Sequence, residues 1–210
     1  MSSFILSKPE VVVLFELMAD SSIPVGIKDL PQVDVFEYER IVDSFSAIHL
    51  VDKTSQTFKP DKGLEKFLLP IVTAEKILLF NYGKDSTCTF NTSIYFSRKG
   101  LVALLDHIDA TIKFVTISSF DELLLYIPDL DENIVSVEGT ELYISYLLFD
   151  KVSSIVHCTR IDTKKNLARI VEGKRIPGEA PLESSSETEI LEYKEMLYDK
   201  LKEVYDVVSR

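Results

Sequence analysis

The chain is short of the residues on which most catalytic and metal chemistry is built. Its 210 residues include two cysteines, three histidines and seven glycines. Cys88 and Cys158 stand 70 positions apart with no CxxC spacing, which speaks against a disulfide scaffold or a zinc site, so both read as reduced core thiols. His49, His107 and His157 are scattered and read as imidazoles at helix ends or on strand surfaces. Gly26, Gly63, Gly83, Gly100, Gly139, Gly173 and Gly178 never fall into a GxGxxG or GxxxxGKS/T pattern, and no phosphate cradle is indicated. There is no nucleophile elbow either.

Positive charge is also in deficit. Lysine and arginine total 23 against 34 acids, a net charge of −11, which disfavours nucleic acid or an anionic membrane as the main partner. Long hydrophobic runs are missing: the most apolar one, residues 142–149, is far short of a bilayer span. The N-terminal Met1-Ser2-Ser3-Phe4-Ile5-Leu6-Ser7-Lys8-Pro9 lacks a basic leader region and a sustained apolar run, so the expectation is a cytoplasmic protein with no membrane insertion. Asn91-Thr92-Ser93 matches a glycosylation acceptor by chance on this reading.

Three local patterns mimic active sites. His157-Cys158 suggests a catalytic dyad, but neighbours on a strand point to opposite faces, so the imidazole is badly placed to activate the thiol. Asp129-Leu130-Asp131-Glu132 lacks the glycine and spacing of a calcium loop and reads as solvated. Asp121-Glu122 opens a helix, where acids suit the macrodipole. The sequence therefore predicts no catalytic residues, no metal and no cofactor.

What is present is an apolar fraction of 46%, ample for a real core. The reading is one α+β domain: a central, largely antiparallel twisted sheet flanked by helices. Residues 1–73 form a winged-helix-like segment, 74–172 a sheet-rich core, 173–187 a mobile loop and 188–210 an amphipathic C-terminal helix. In the first part, Val11, Leu14, Phe15 and Met18 mark one helical face, and Val35, Tyr38, Ile41, Val42 and Phe45 a second. A short hairpin and a helix from near Pro60 to about Pro70 complete the order. Ser7-Lys8-Pro9-Glu10, Asp34-Val35-Phe36-Glu37 and Ser119-Phe120-Asp121-Glu122 have the form of capping boxes. The helix that would contact DNA carries Asp34, Glu37, Glu39 and Asp43 against Arg40 alone, so a nucleic-acid module converted to protein contact is the first hypothesis.

Strand signals follow at 75–82, 87–97, 101–107 and 111–118, joined by turns too short for anything but antiparallel pairing. A helix from Ser119 stops by Pro128. Residues 140–150 read as helix from Leu142, Tyr143, Tyr146 and Leu147, although their aromatic and β-branched content also suits a strand. Residues 152–161 and 167–172 read as a hairpin. In the last helix Ile190, Leu197, Leu201, Val204 and Val208 form a heptad-like seam, widened by Leu191, Tyr198 and Tyr205. Tyrosines offer large apolar area with a polar tip, so a partner interface is placed on Tyr193, Leu197, Tyr198, Leu201 and Tyr205, with the turn Gly83-Lys84-Asp85 as a secondary contact.

The order of these pieces resembles the EspG-like cytosolic chaperones of type VII secretion systems. The resemblance runs through residues 14–18, Ile23-Pro24-Val25, Phe45-Ser46-Ala47-Ile48-His49-Leu50-Val51, residues 64–72, Glu75-Lys76-Ile77-Leu78-Leu79 and the hairpin Ile161-Asp162-Thr163…Leu167-Ala168-Arg169-Ile170. The richness in lysine, isoleucine and tyrosine looks more like a counterpart from a low-GC Gram-positive bacterium. The resemblance implies a chaperone or adaptor that binds a helical secretion substrate of the WXG or LXG type before export. The alternative is a winged-helix transcriptional regulator with a C-terminal sensing domain. The acid-lined helix decides between them in one direction: mobility-shift titration at physiological salt is expected to show no binding to duplex DNA beyond the generic non-specific range, and a tight, sequence-dependent shift would favour the regulator.

Overall fold

A run such as Leu101-Val102-Ala103-Leu104-Leu105 has no alternation of apolar and polar residues, and a strand of that kind must be covered on both faces. The computed structural model meets that demand. It describes residues 2–18, 27, 29–52, 57–58, 62–84, 87–106, 110–127, 141–149, 154–162, 166–176, 178–180 and 182–208. The elements are β1 (Ser3–Ser7), α1 (Lys8–Leu17), α2 (Val35–Ala47), β2 (Val51–Asp52), β3 (Thr57–Phe58), α3 (Lys62–Val72), β4 (Lys76–Lys84), β5 (Thr87–Ser97), β6 (Gly100–Asp106) and β7 (Thr111–Ile117). Then come α4 (Phe120–Leu124), β8 (Glu141–Phe149), β9 (Ser154–Asp162), β10 (Leu167–Arg175), β11 (Leu182–Glu189) and a final helix, α5 (Ile190–Val208). Among the described residues nine strands form one antiparallel sheet in the order β1-β7-β6-β5-β4-β8-β9-β10-β11, and β2 pairs with β3 separately.

Strand alternation sorts the core into two layers. Tyr95, Val102, Leu104, Ile112 and Phe114 face α1, α2 and α3, while Ile94, Phe96, Leu101, Ala103, Leu105, Val115 and Ile117 face α4 and α5. Helix α1 is buried continuously from Val11 to Phe15. Phe4 on β1 stacks on Phe114 at 4.3 Å and meets Phe67 of α3 edge-on at 4.7 Å, clamping the sheet edge to the helical layer. At the β5–β6 turn Gly100 has φ +133°, and a Cβ there would sit 3.5 Å from Pro70. Pro70 lies inside α3, which runs two residues past it; Thr73 then donates from both its amide and its hydroxyl to the Leu69 carbonyl, and the hydroxyl also lies 2.7 Å from Ser97 Oγ.

The three predicted caps all accept from the expected amide, and the first also closes as a full capping box. Ser7 Oγ accepts from the Glu10 amide while Glu10 accepts from the Ser7 amide at 2.8 Å. Asp34 accepts from the Glu37 amide at 2.9 Å. Ser119 accepts from the Glu122 amide, but Glu122 reaches back to the Ser118 amide, one residue earlier than a reciprocal box. At the end of α2, Leu50 donates to the Phe45 carbonyl and His49 to that of Ser46, with His49 at φ +61° in the position that usually takes glycine. His49 is thus a helix-end residue.

Residues 1–73 supply the expected helix, helix, ribbon and helix, preceded by β1, a strand of the large sheet, and α1 to α3 share one core with that sheet. Three expectations need correction. Residues 141–149 form strand β8, not a helix. The position decides the outcome, because β8 is hydrogen-bonded on both sides, to β4 and β9, and its aromatic and β-branched residues suit that place. Within the expected loop at 173–187, residues 173–175 end β10 and 182–187 belong to β11, while 176 and 178–180 are not strand. Strand β11 is exposed on both faces, so it has no apolar alternation to announce it; register pairing with β10 defines it. Val35, expected on the core face of α2, is 70% exposed because Ile41 and Phe45 define a face it does not share.

One ion pair ties the layers together at the start of α1. Lys8 Nζ lies 3.1 Å from Asp106 Oδ1 at the end of β6, with both side chains about one-tenth exposed. Removing one partner strands a charge in a dry place. Asp106→Ala is expected to lose about 3 kcal/mol, or roughly 6–12 °C in Tm for a chain of this size, whereas Lys8→Met with Asp106→Leu should recover most of it; thermal unfolding checks both.

Candidate partner-binding surface

The C-terminal helix is the element on which the sequence places an interface. Its apolar seam is spent on the fold: Ile190, Tyr193, Leu197, Leu201, Val204 and Val208 are buried against Leu78, Ile94, Phe96, Ala168 and Ile170. Tyr193 is 0% exposed. Three of the five expected interface residues, Tyr193, Leu197 and Leu201, therefore belong to the core, and the other two, Tyr198 and Tyr205, flank it. The structure brings these two together around Phe120 of α4, which meets Tyr198 edge-on at 5.1 Å and Tyr205 at 5.5 Å. Lys202 Nζ lies 4.7 Å from the Phe120 ring centroid and 3.2 Å from Asp206 Oδ1, so an ion pair borders the cluster.

Residues seven apart on a helix drift by only about 20° per step. Leu191, Tyr198 and Tyr205 are so spaced and form a stripe along one flank of α5. Leu191 is 66% exposed and Tyr198 45%, while Tyr205 is partly buried. Just past α4, Leu125 is exposed and Tyr126 packs partly against the core cluster. Burial, with the Glu122 charge adding to it, raises the Tyr126 pKa above the ordinary tyrosine value. The result is an apolar, aromatic surface with hydroxyl tips, bordered by the Lys202–Asp206 ion pair and suited to contact with another helix.

The secondary contact is placed differently. Gly83 and Lys84 are not a free turn; they continue β4 past a bulge at Tyr82/Gly83, paired with Cys88 and Thr87, and Asp85 lies outside the described residues. Gly83 is five strand residues, roughly 16 Å, from Leu78 in the core below α5, so it is remote from that contact. Sequence reasoning missed Phe120 as the ring on which Tyr198 and Tyr205 meet, because the segment is dominated by its cap signal. It also missed Phe36, which is 84% exposed on α2.

Of the other candidates, Cys88 on β5 and Cys158 on β9 are held apart by two intervening strands. Cys158 aligns through Ser145 and Asn81 with Asn91, three strand spacings or roughly 14 Å away, which no disulfide spans. His107 and Asp129 to Glu132 lie outside the described residues. Among the described residues no three His, Cys, Asp or Glu side chains gather as metal ligands, and no helix is long and apolar enough to cross a membrane. A cleft of about 120 Å³ between α1 and α2, bordered by Ser7, Glu10, Glu37 and Arg40, is smaller than the sites that enclose drug-sized ligands.

A scan against models of protein families found no match to this chain, and a search against curated proteins found none either. The division of α5 into a buried seam and an exposed flank is open to direct test. Tyr193→Ala is expected to lose about 3–5 kcal/mol of stability, and Tyr198→Ala under about 1 kcal/mol; denaturant unfolding of the two variants measures the contrast.

Proposed function

We propose that the protein is a non-catalytic binding protein, a cytoplasmic chaperone or adaptor that holds a helical type VII secretion substrate of the WXG or LXG class before export. The observation that carries this reading is the flank of α5 formed by exposed Leu191 and Tyr198 with half-buried Tyr205, the two tyrosines meeting on Phe120. A helical hairpin exposes an apolar seam when it is away from its final partner, and a matching stripe on a rigid helix covers that seam and blocks self-association. The order of elements that resembles the EspG-like chaperones supports the same reading. The regulator alternative draws no support from α2, whose exposed face carries Glu39 and Asp43 and whose Asp34 serves as the helix cap.

Binding of a WXG- or LXG-type protein encoded by the same genome, followed by calorimetric titration, tests the proposal. Tyr198→Ala should weaken the complex by about tenfold, in the range of an aromatic anchor, and Leu191→Glu should weaken it further, with the melting temperature of the free protein nearly unchanged. Failure of every such protein to bind, or affinity indifferent to both substitutions, would contradict it.

A further inference from the structure

Strand β11 has no reason to exist in terms of burial. Seven of its eight residues are exposed and Thr188 is half-buried, so it covers no core. It is a strand because eight residues pair with β10, from Leu167↔Glu189 to Lys174↔Leu182, and because Thr188 Oγ1 donates to Glu192 where the strand passes into α5. On its outer side no described strand pairs with it. A bare edge of this length offers alternating backbone donors and acceptors to any extended chain that can approach.

The side chains restrict which chain that is. Ala168 and Ile170, buried under α5, fix the inner face of β10, and their β11 partners are Thr188 and Ser186. The intervening positions Glu183, Ser185, Glu187 and Glu189 therefore lie on the opposite face, so all three acids of the strand share one side. Arg169 stands opposite Glu187, but Glu183 and Glu189 stand opposite Gly173 and Leu167, which carry no charge. Exposed Arg169 and Val171 leave that face of the sheet edge open.

We infer that the outer edge of β11 is a docking edge for an extended basic segment of another protein, which joins the sheet as a further strand. Lysine or arginine at alternate positions meets Glu183, Glu187 and Glu189, and serine, threonine or valine between them meets Ser184, Ser186 and Thr188. A second copy of this chain is the wrong occupant, since antiparallel pairing of two β11 strands sets glutamate beside glutamate. The opposite edge, β1, has five residues and no charge, and so lacks this selectivity. The inference is independent of the α5 surface and concerns a different element.

The test uses the full protein and a peptide of alternating threonine and lysine matched to β11 in length, with a threonine–glutamate peptide and a fully N-methylated threonine–lysine peptide as controls. The expected result is binding of the first peptide alone, with slowed amide exchange over residues 182–189. Replacing Glu183, Glu187 and Glu189 by glutamine should weaken binding by about tenfold. Binding that survives N-methylation would reveal charge attraction without strand addition, and protection over the acids of α2 instead of residues 182–189 would place the contact elsewhere. Either outcome, or no binding at millimolar peptide, overturns the inference.

Discussion

Coverage of β5, β6 and β7 on both faces is the constraint on which the other elements depend. Val102, Ala103 and Leu104 are consecutive and essentially inaccessible, so apolar layers must lie above and below the same strand. Helices α1 to α3 supply one layer and α4 with α5 the other. Each layer is then pinned at a corner: Lys8 and Asp106 fix the start of α1, Thr73 and Ser97 fix the end of α3, and the Phe120 cluster fixes α4 against α5.

That arrangement determines what is left for partners. Once α5 commits Tyr193, Leu197 and Leu201 to the sheet, its remaining apolar residues are a flank, and a flank with seven-residue spacing suits a helix rather than a strand or a small molecule. Strand β11 is the counterpart. It lies beyond the helical cover, and its free backbone suits an extended chain. The two surfaces call for different partner conformations because they arise from different unsatisfied groups, apolar side chains in one case and peptide groups in the other.

Much of the architecture is legible in the sequence because it is written in local signals. Ser7, Asp34 and Ser119 mark helix starts by their hydrogen-bonding chemistry, and the turn at Arg98-Lys99-Gly100 is a positive-φ glycine that closes a hairpin. The errors fall where tertiary context overrides pattern. Leu142, Tyr143, Tyr146 and Leu147 fit a helical face as well as a strand, and only pairing with β4 and β9 resolves them. Residues 182–187 read as a loop, and 188–189 as helix, because a strand exposed on both sides needs no apolar residues. At the interface, Tyr193 and Tyr198 look alike in sequence; five residues of helical rotation bury one and expose the other, and only the position of the sheet decides which.

Native-state amide hydrogen exchange measures the central constraint directly, because each amide reports the free energy of its own opening. The amides of Ile94 to Phe96, Val102 to Leu104 and Ile112 to Val115 are predicted to exchange only through global unfolding, and those of Leu182 to Glu189 faster by a factor of about a hundred or more. Exchange in β5 to β7 as fast as in β11, or β11 among the slowest segments of the chain, would contradict the account.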